Sequence, residues 1–191
     1  MAAPLRLAPP MTVDEYLAFE EDADVRHEYV DGYVYAMTGG SLRHNAIAGN
    51  IYKRLSRAAA AGGCRVFISD VKVRVGETRF YYPDVLAVCG PVDMDGAFVR
   101  NPCLIVEVLS RSTRAVDQRE KVAAYRTIDT LTAYVTVEQS QRVVEWHFRD
   151  GPGAEWRLGA FAAGTARTRI PIPCPEVGLT LDEIYEGTGL P

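Results

Sequence analysis

The sequence predicts an α/β fold in which helices flank a mixed central β-sheet. Between residues 41 and 137 the residue patterns indicate a helix, three β-rich stretches, a second helix and a further strand. Two of these stretches, 79–89 and 102–109, are apolar almost throughout, which is typical of strands inside a sheet. The chain of 191 residues is 48% hydrophobic and can bury one substantial core. We therefore expect a single domain over residues 1–191, with its core at about 41–137.

The N-terminal part carries two local signals. Residues 1–11 are expected to form a loose arm. The segment Thr12-Val13-Asp14-Glu15 has the spacing of a capping box and predicts a short helix. In the segment EYVDGYVYAM, an Asp-Gly pair lies between two β-prone runs, so a hairpin is predicted over residues 26–38.

The predicted core begins with a helix over residues 41–61. Ser41 can cap this helix, and Gly62 with Gly63 can end it. The three β-rich stretches follow at 64–75, 79–89 and 102–109. A second helix is predicted from Ser112 or Thr113 to about Ile128.

The C-terminal part is predicted to add strands and one helix. The strands are expected at 131–137, 141–148 and about 155–161. Residues 151–153 and 171–175 have the composition of turns. A second capping box, Thr180-Leu-Asp-Glu183, predicts the last helix.

Composition and charge limit the classes of function. The net charge of −4 gives no overall positive field, so any nucleic-acid binding must use a local patch. Residues 1–10 contain neither a signal-peptide pattern nor an apolar span, and we expect a cytoplasmic protein without a membrane segment. The four cysteines include no CxxC pair, so reduced, mostly buried thiols are expected.

Two carboxylates interrupt the apolar strands, Asp84 in YYPDVLAVC and Glu107 in CLIVEVL. Burying an ionised carboxylate is costly unless it is paired, protonated or bound to a metal ion. If the two strands are neighbours, both side chains can converge on one hard cation such as Mg²⁺ or Mn²⁺. The alternative is that they are strand-end residues paired with arginines, for which the candidates are Arg74, Arg79 and Arg111.

The scarcity of lysine draws attention to Lys121. The chain has 18 arginines and three lysines, at positions 53, 72 and 121. In a helix, Asp117, Lys121 and Tyr125 lie at four-residue intervals and share one face, which could look onto the end of the sheet. The alternative for Asp117 and Lys121 is an ordinary surface ion pair.

Together these segments resemble a known family. The order and spacing of these segments are similar to those of the bacterial Uma-two family of restriction endonucleases. The matching segments are EYVDGYVYAM, His44, YYPDVLAVC, and LIVEVLSRST followed by Asp117, Lys121 and Tyr125. That family is a branch of the PD-(D/E)XK nuclease superfamily. The resemblance covers roughly residues 12–148. Leu109 stands where the superfamily usually has its lysine, and Lys121 matches the position that supplies the lysine in this family.

The resemblance implies a restriction-endonuclease-like core of order α-β-β-β-α-β and a Mg²⁺- or Mn²⁺-dependent endonuclease acting on DNA. Asp84, Glu107 and Lys121 would be catalytic, and the Val108 carbonyl would complete the metal site. Possible supporting residues are Glu28, His44 and Asp117, and candidate phosphate contacts are Arg43, Arg111 and Arg114.

Two other functions are compatible with parts of this pattern. A protein that keeps the fold but has lost activity could bind nucleic acid or act as a regulator, because fold alone does not determine activity. A hydrolase with a serine nucleophile is disfavoured, since the chain has no GxSxG motif. A homodimer is expected if the protein cuts both strands of DNA.

Overall fold

The computed structural model describes residues 10–110, 120–162, 164 and 168–191. The helices there are α1 (Val13–Glu21), α2 (Leu42–Gly62), α3 (Val122–Tyr125) and α4 (Leu181–Ile184). The strands are β1 (His27–Val30), β2 (Tyr33–Ala36), β3 (Cys64–Ile68), β4 (Val73–Val75), β5 (Arg79–Tyr81), β6 (Val85–Cys89), β7 (Leu104–Leu109), β8 (Ala133–Glu138), β9 (Val144–Phe148), β10 (Arg157–Phe161), β11 (Ile170–Pro173) and β12 (Glu176–Leu179).

The central sheet has six strands in the order β10-β9-β8-β7-β6-β3. Strands β7 and β8 are parallel, whereas the other neighbouring pairs are antiparallel. Along the chain, its core follows the order α2-β3-β6-β7-α3-β8. The predicted α/β fold with a mixed central sheet is confirmed.

A second sheet of four strands, in the order β2-β1-β5-β4, lies beside the first. The stretches 64–75 and 79–89 were each expected to form one strand, and this is wrong, because each contributes to both sheets. Ser69 and Asp70, with φ angles of 52° and 53°, form the bend at which the chain passes from β3 in the first sheet to β4 in the second. Pro83 and Asp84 separate β5 from β6, where the missing proline N–H interrupts strand pairing.

The local signals near the N-terminus give the predicted elements. The Thr12 hydroxyl accepts the Glu15 N–H, and the Glu15 carboxylate accepts the Thr12 N–H, so the capping box of α1 is present. Asp31 and Gly32, with φ angles of 49° and 96°, form the turn between β1 and β2. Positive φ at both central residues matches the right-handed twist of a hairpin.

Helix α2 packs against one face of the central sheet. Ser41 caps its first turn through the His44 N–H, and Gly63 ends it with a φ of 69°. Its apolar positions are fully buried in the larger core cluster, as the four-residue spacing predicted, at Ile47, Ile51 and Leu55. The opposite face of the sheet packs against α3 and the second sheet. Strand β7 lies between these two layers and is buried along its whole length.

The C-terminal part differs from the prediction in one element. Residues 171–175 were expected to form a turn, but most belong to the two-stranded sheet of β11 and β12. Within β11, isoleucines are buried and prolines exposed in alternation. An isolated pair of strands tolerates prolines, because each strand keeps one open edge. The capping box at Thr180 and Glu183 begins α4 as predicted.

Two further observations concern expectations from composition. Among the described residues, no helix combines the length and apolarity that crossing a lipid bilayer requires.

The four cysteines form two disulfides, Cys64–Cys89 and Cys103–Cys174, so the prediction of reduced thiols is wrong for this structure. The bonded cysteines are far apart in sequence, but the strand ends at or beside which they lie meet in the fold.

Candidate active site

A cleft of about 890 Å³ opens where β6 begins and β7 ends. Its lining includes the polar residues His44, Asp84, Glu107 and Lys121. Strand β6 stops pairing with β7 at Val85, opposite Val106, so the last residues of β7 have an open edge beside Asp84. Side chains from α2, from the residue before β6, from β7 and from the residue before α3 therefore meet at one end of the sheet.

Glu107 lies in β7 and is only 4% exposed. Its Oε1 accepts a hydrogen bond of 2.9 Å from the Tyr125 hydroxyl and lies 3.3 Å from the Lys121 ammonium nitrogen. Lys121 and Tyr125 are four residues apart and reach the same carboxylate, as the predicted shared helix face requires. The buried carboxylate of Glu107 thus has both a cationic and a neutral donor.

Lys121 is 5% exposed and lies between two glutamates. Its Nζ is 2.7 Å from Glu28 Oε1, in addition to its contact with Glu107, and stands 5.6 Å from the centre of the Tyr81 ring. Interpreting Lys121 as part of an ordinary surface ion pair is therefore wrong. Asp117, its expected partner, lies outside the described residues.

Asp84 stands between Pro83 and the first residue of β6. Its Oδ2 accepts a 2.7 Å hydrogen bond from the Val108 N–H and lies 3.3 Å from His44 Nε2. Asp84 is thereby fixed against the strand that carries Glu107. Of the arginines proposed as alternative partners, Arg74 pairs with Glu77 and Arg79 with Asp31, whereas Arg111 lies outside the described residues.

His44 in the first turn of α2 completes the contacts of Asp84. A Cβ atom added at Gly40 would lie 2.8 Å from His44 Nδ1, so glycine leaves room for the imidazole ring. The neighbouring Ser41 hydroxyl donates to Gln139 Oε1 beyond β8. The beginning of α2 is thus tied to the same end of the sheet.

Glu28 is held in place by a buried network behind the cleft. Glu20 is fully buried and accepts hydrogen bonds from the His27 N–H, from His27 Nδ1 and from the Tyr82 hydroxyl. Burial raises the pKa of Tyr82 far above its usual value, so its hydroxyl stays protonated. The hydrogen bonds of His27 to Glu20 hold the first residue of β1, and Glu28 is the next residue of that strand.

The candidate phosphate contacts have different outcomes. Arg43 lines the cleft, although its Nε also donates to the Thr188 carbonyl. Arg111 and Arg114 lie outside the described residues. Arg26, which precedes β1, also lines the cleft and was missed from the sequence, since no local pattern distinguishes it from other surface arginines.

The charges of this network suit a divalent cation. Glu28, Asp84 and Glu107 supply three carboxylates, whereas Lys121 supplies one ammonium group. Burying carboxylates is costly unless cations or hydrogen-bond donors offset their charge, and a bound cation would contribute to that offset. Carboxylate oxygens are the ligands that Mg²⁺ and Mn²⁺ prefer. The residues present therefore fit such an ion.

Tyr125 is a site residue for which the sequence predicts only a place on the helix face shared with Asp117 and Lys121. Burial, and then the charge of Glu107, raise the pKa of Tyr125 well above its usual range, so its hydroxyl acts as a donor. Tyr125→Phe is expected to lower the free energy of unfolding by about 1.5–3 kcal/mol, as for a hydrogen bond to a charged group. Urea denaturation would measure this change.

The matched control is Tyr52→Phe, because Tyr52 is a half-buried tyrosine of α2 whose hydroxyl has no hydrogen-bond partner among the described residues. This variant should unfold at nearly the wild-type denaturant concentration. An equal loss of stability in both variants would mean that the Tyr125 bond to Glu107 contributes little.

Comparison with family models identifies the family of the chain. Residues 13–182 match the family model Uma2, described as a putative restriction endonuclease. The chain is 32% identical over 181 residues to the uncharacterized protein slr1290 of Synechocystis, covering 94% of this chain and 93% of that protein. It is also 32% identical over 152 residues to the uncharacterized protein sll1609 of the same organism, covering 78% and 85%.

The fold has a solved counterpart. The crystal structure of a putative nuclease belonging to DUF820 from Anabaena variabilis superposes with a TM-score of 0.69, covering 94% of this chain and 99% of that one. The sequence identity is 17%, so this likeness shows a shared fold.

Proposed function

The chain belongs to the Uma2 family of restriction-endonuclease-like proteins, and from this premise we propose that it is a metal-dependent endonuclease that hydrolyses phosphodiester bonds in DNA. The observation that carries the proposal is the buried contact network of Glu28, Glu107 and Lys121 beside Asp84, at the wall of one cleft. Because a buried ion pair is usually no more stabilising than apolar residues of similar volume, chemistry accounts better for this network than stability does.

Asp84, Glu107 and the carbonyl of Val108 are the groups that would hold the metal ion. The Leu109 carbonyl accepts from the Gln139 N–H on the side of β8. Backbone groups alternate along a strand, so those of Val108 face the opposite edge, where its N–H meets Asp84. Bound Mg²⁺ or Mn²⁺ would supply Lewis-acid chemistry and a water of lowered pKa.

Lys121 lies where its ammonium group could act on the reacting phosphate. It lines the cleft, and its ammonium group is oriented by Glu28 and Glu107. A cation fixed in this way can position the attacking water or neutralise charge that develops on the phosphate oxygens. Tyr125 holds the Glu107 carboxylate in place and Glu28 holds the Lys121 ammonium group, so both are positioning residues.

Contacts to the DNA backbone would come from the rim of the cleft. Arg26 and Arg43 line it and can pair with phosphates, which positions a duplex without selecting a sequence. Because one such site attacks one strand, cutting both strands would use a homodimer.

The direct test is cleavage of supercoiled plasmid DNA by the purified protein. We expect nicked and linear products with Mg²⁺ or Mn²⁺ and none with a chelator. Retarded migration of the plasmid without cleavage, with either metal ion, would instead identify an inactive nucleic-acid-binding protein. A contaminating nuclease is excluded if Lys121→Met and Asp84→Asn, prepared in the same way, lose the activity.

A further inference from the structure

A second cluster of potential metal ligands lies away from the cleft. All four cysteines of the chain meet there: Cys64 begins β3, Cys89 ends β6, Cys103 precedes β7 and Cys174 lies between β11 and β12. Asp84 and Glu107 stand toward the other ends of β6 and β7. The cysteine cluster is thus separated from the candidate active site by the length of these strands.

The sulfur atoms are mutually close beyond the two bonded pairs. Cys89 is bonded to Cys64, and its Sγ also lies 3.0 Å from Cys174 Sγ and 3.7 Å from Cys103 Sγ. The ligand atoms of Cys64, Cys89 and Cys174 all lie within 4.8 Å of one another, and Cys103 is bonded to Cys174. The four sulfurs form one compact group instead of two separate bridges.

We propose that, in the reduced protein, these four cysteines bind one zinc ion as a structural site. Tetrahedral Zn²⁺ holds thiolates at about 2.3 Å, which places neighbouring sulfurs about 3.8 Å apart. The two distances between the bonded pairs, 3.7 Å and 3.0 Å, are both slightly shorter than this spacing, so side-chain adjustments that move the sulfurs apart suffice. Four thiolates and no open position are the ligand set of a structural zinc site, and soft sulfur donors select zinc over the hard cations suited to the cleft.

The conversion from disulfides to a zinc site is chemically balanced. Each disulfide accepts two electrons and two protons from a dithiol reductant, which itself becomes a disulfide. Zn²⁺ then displaces the four thiol protons and forms a tetrathiolate complex with a charge of −2. Reduction therefore replaces two covalent links by one shared ion that connects the same segments.

The position of the cluster explains what the ion would stabilise. It joins the edge strand β3 and its neighbour β6 to the beginning of β7 and to the β11–β12 hairpin. Cys103 and Cys174 are buried, whereas Cys89 is exposed, so an ion could enter from solvent. A zinc ion here would hold the C-terminal hairpin against the central sheet.

The test uses the full chain, purified with a thiol reductant and without a chelator from cells grown with zinc. Elemental analysis should find about one zinc per chain. Replacing zinc by Co²⁺ should produce the sulfur-to-cobalt charge-transfer absorption of a tetrathiolate site. The carboxylates of the cleft cannot produce that absorption, so Asp84→Asn should retain it and Cys174→Ser should reduce or abolish it.

Thiol labelling tests the proposal without a variant. Iodoacetamide should modify few cysteines in the zinc-loaded native protein and all four after a chelator is added. The proposal is overturned if the reduced protein, with four free thiols, retains no zinc and shows no charge-transfer absorption. It is equally overturned if protein prepared under these reducing conditions still contains both disulfides.

Discussion

Lys121→Met is expected to reduce DNA cleavage by about a hundredfold to a thousandfold, which is the usual cost of removing one donor that stabilises a transition state. Methionine keeps the length and apolar stem of the side chain but removes the charge that lies between Glu28 and Glu107. Initial rates of plasmid nicking at saturating Mn²⁺ would measure the effect.

The same substitution should change stability in a way that depends on metal. Removing one partner of a buried ion pair typically costs about 3–5 kcal/mol, and here the carboxylates of Glu28 and Glu107 would lose the charge of Lys121. Mn²⁺ should restore part of this loss, since an ion that binds only the folded protein stabilises it. Thermal unfolding with and without Mn²⁺ would show this difference.

Lys53→Met is the matched control for Lys121→Met. Lys53 is an exposed lysine on α2, where substitutions usually change stability by no more than about 0.5 kcal/mol. The control should keep wild-type cleavage and the wild-type response to Mn²⁺. If Lys121→Met behaved in the same way, the buried ammonium group would have no part in the reaction.

Asp84→Asn should reduce metal-dependent cleavage about a thousandfold while leaving the fold intact. The asparagine side-chain oxygen can still accept the Val108 N–H, so the local structure is retained. The lost charge removes a ligand for the metal ion, and a loss of about 4 kcal/mol in transition-state stabilisation corresponds to about a thousandfold in rate. Plasmid nicking and calorimetric titration with Mn²⁺ should both show the loss.

An exposed aspartate provides the control for this second substitution. Asp93 accepts the Asp95 N–H in a surface turn, and Asp93→Asn conserves that acceptor. Its rate of cleavage and its affinity for Mn²⁺ should equal those of the wild type. Retention of both properties in Asp84→Asn would remove Asp84 from the proposed site.

Much of the fold was predictable because its signals are local. The capping boxes at Thr12 and Thr180 and the turn at Asp31 and Gly32 depend on neighbouring residues, and all three elements form as expected. The division of 64–75 and 79–89 between two sheets was not predictable, because an apolar run does not reveal where a strand changes partner. The bend at Ser69 and Asp70 depends on their positive φ angles, which the sequence did not predict.

The candidate site was predictable in part for a similar reason. Glu107 was conspicuous as a charge in an apolar strand, and helical spacing placed Lys121 and Tyr125 on one face. The direct contact of Lys121 with Glu28 required β1 to pair with β5 beside the central sheet, a non-local event. The meeting of the cysteines likewise depends on three strand ends and a C-terminal hairpin.

The most direct measurement is the anomalous difference density of a crystal soaked in Mn²⁺. We expect one peak in the cleft, within about 2.0–2.3 Å of a carboxylate oxygen of Asp84 and of one from Glu107, with Lys121 beside it. Density for manganese only elsewhere, or no manganese at concentrations that support cleavage, would contradict the assignment of these two carboxylates as the metal ligands.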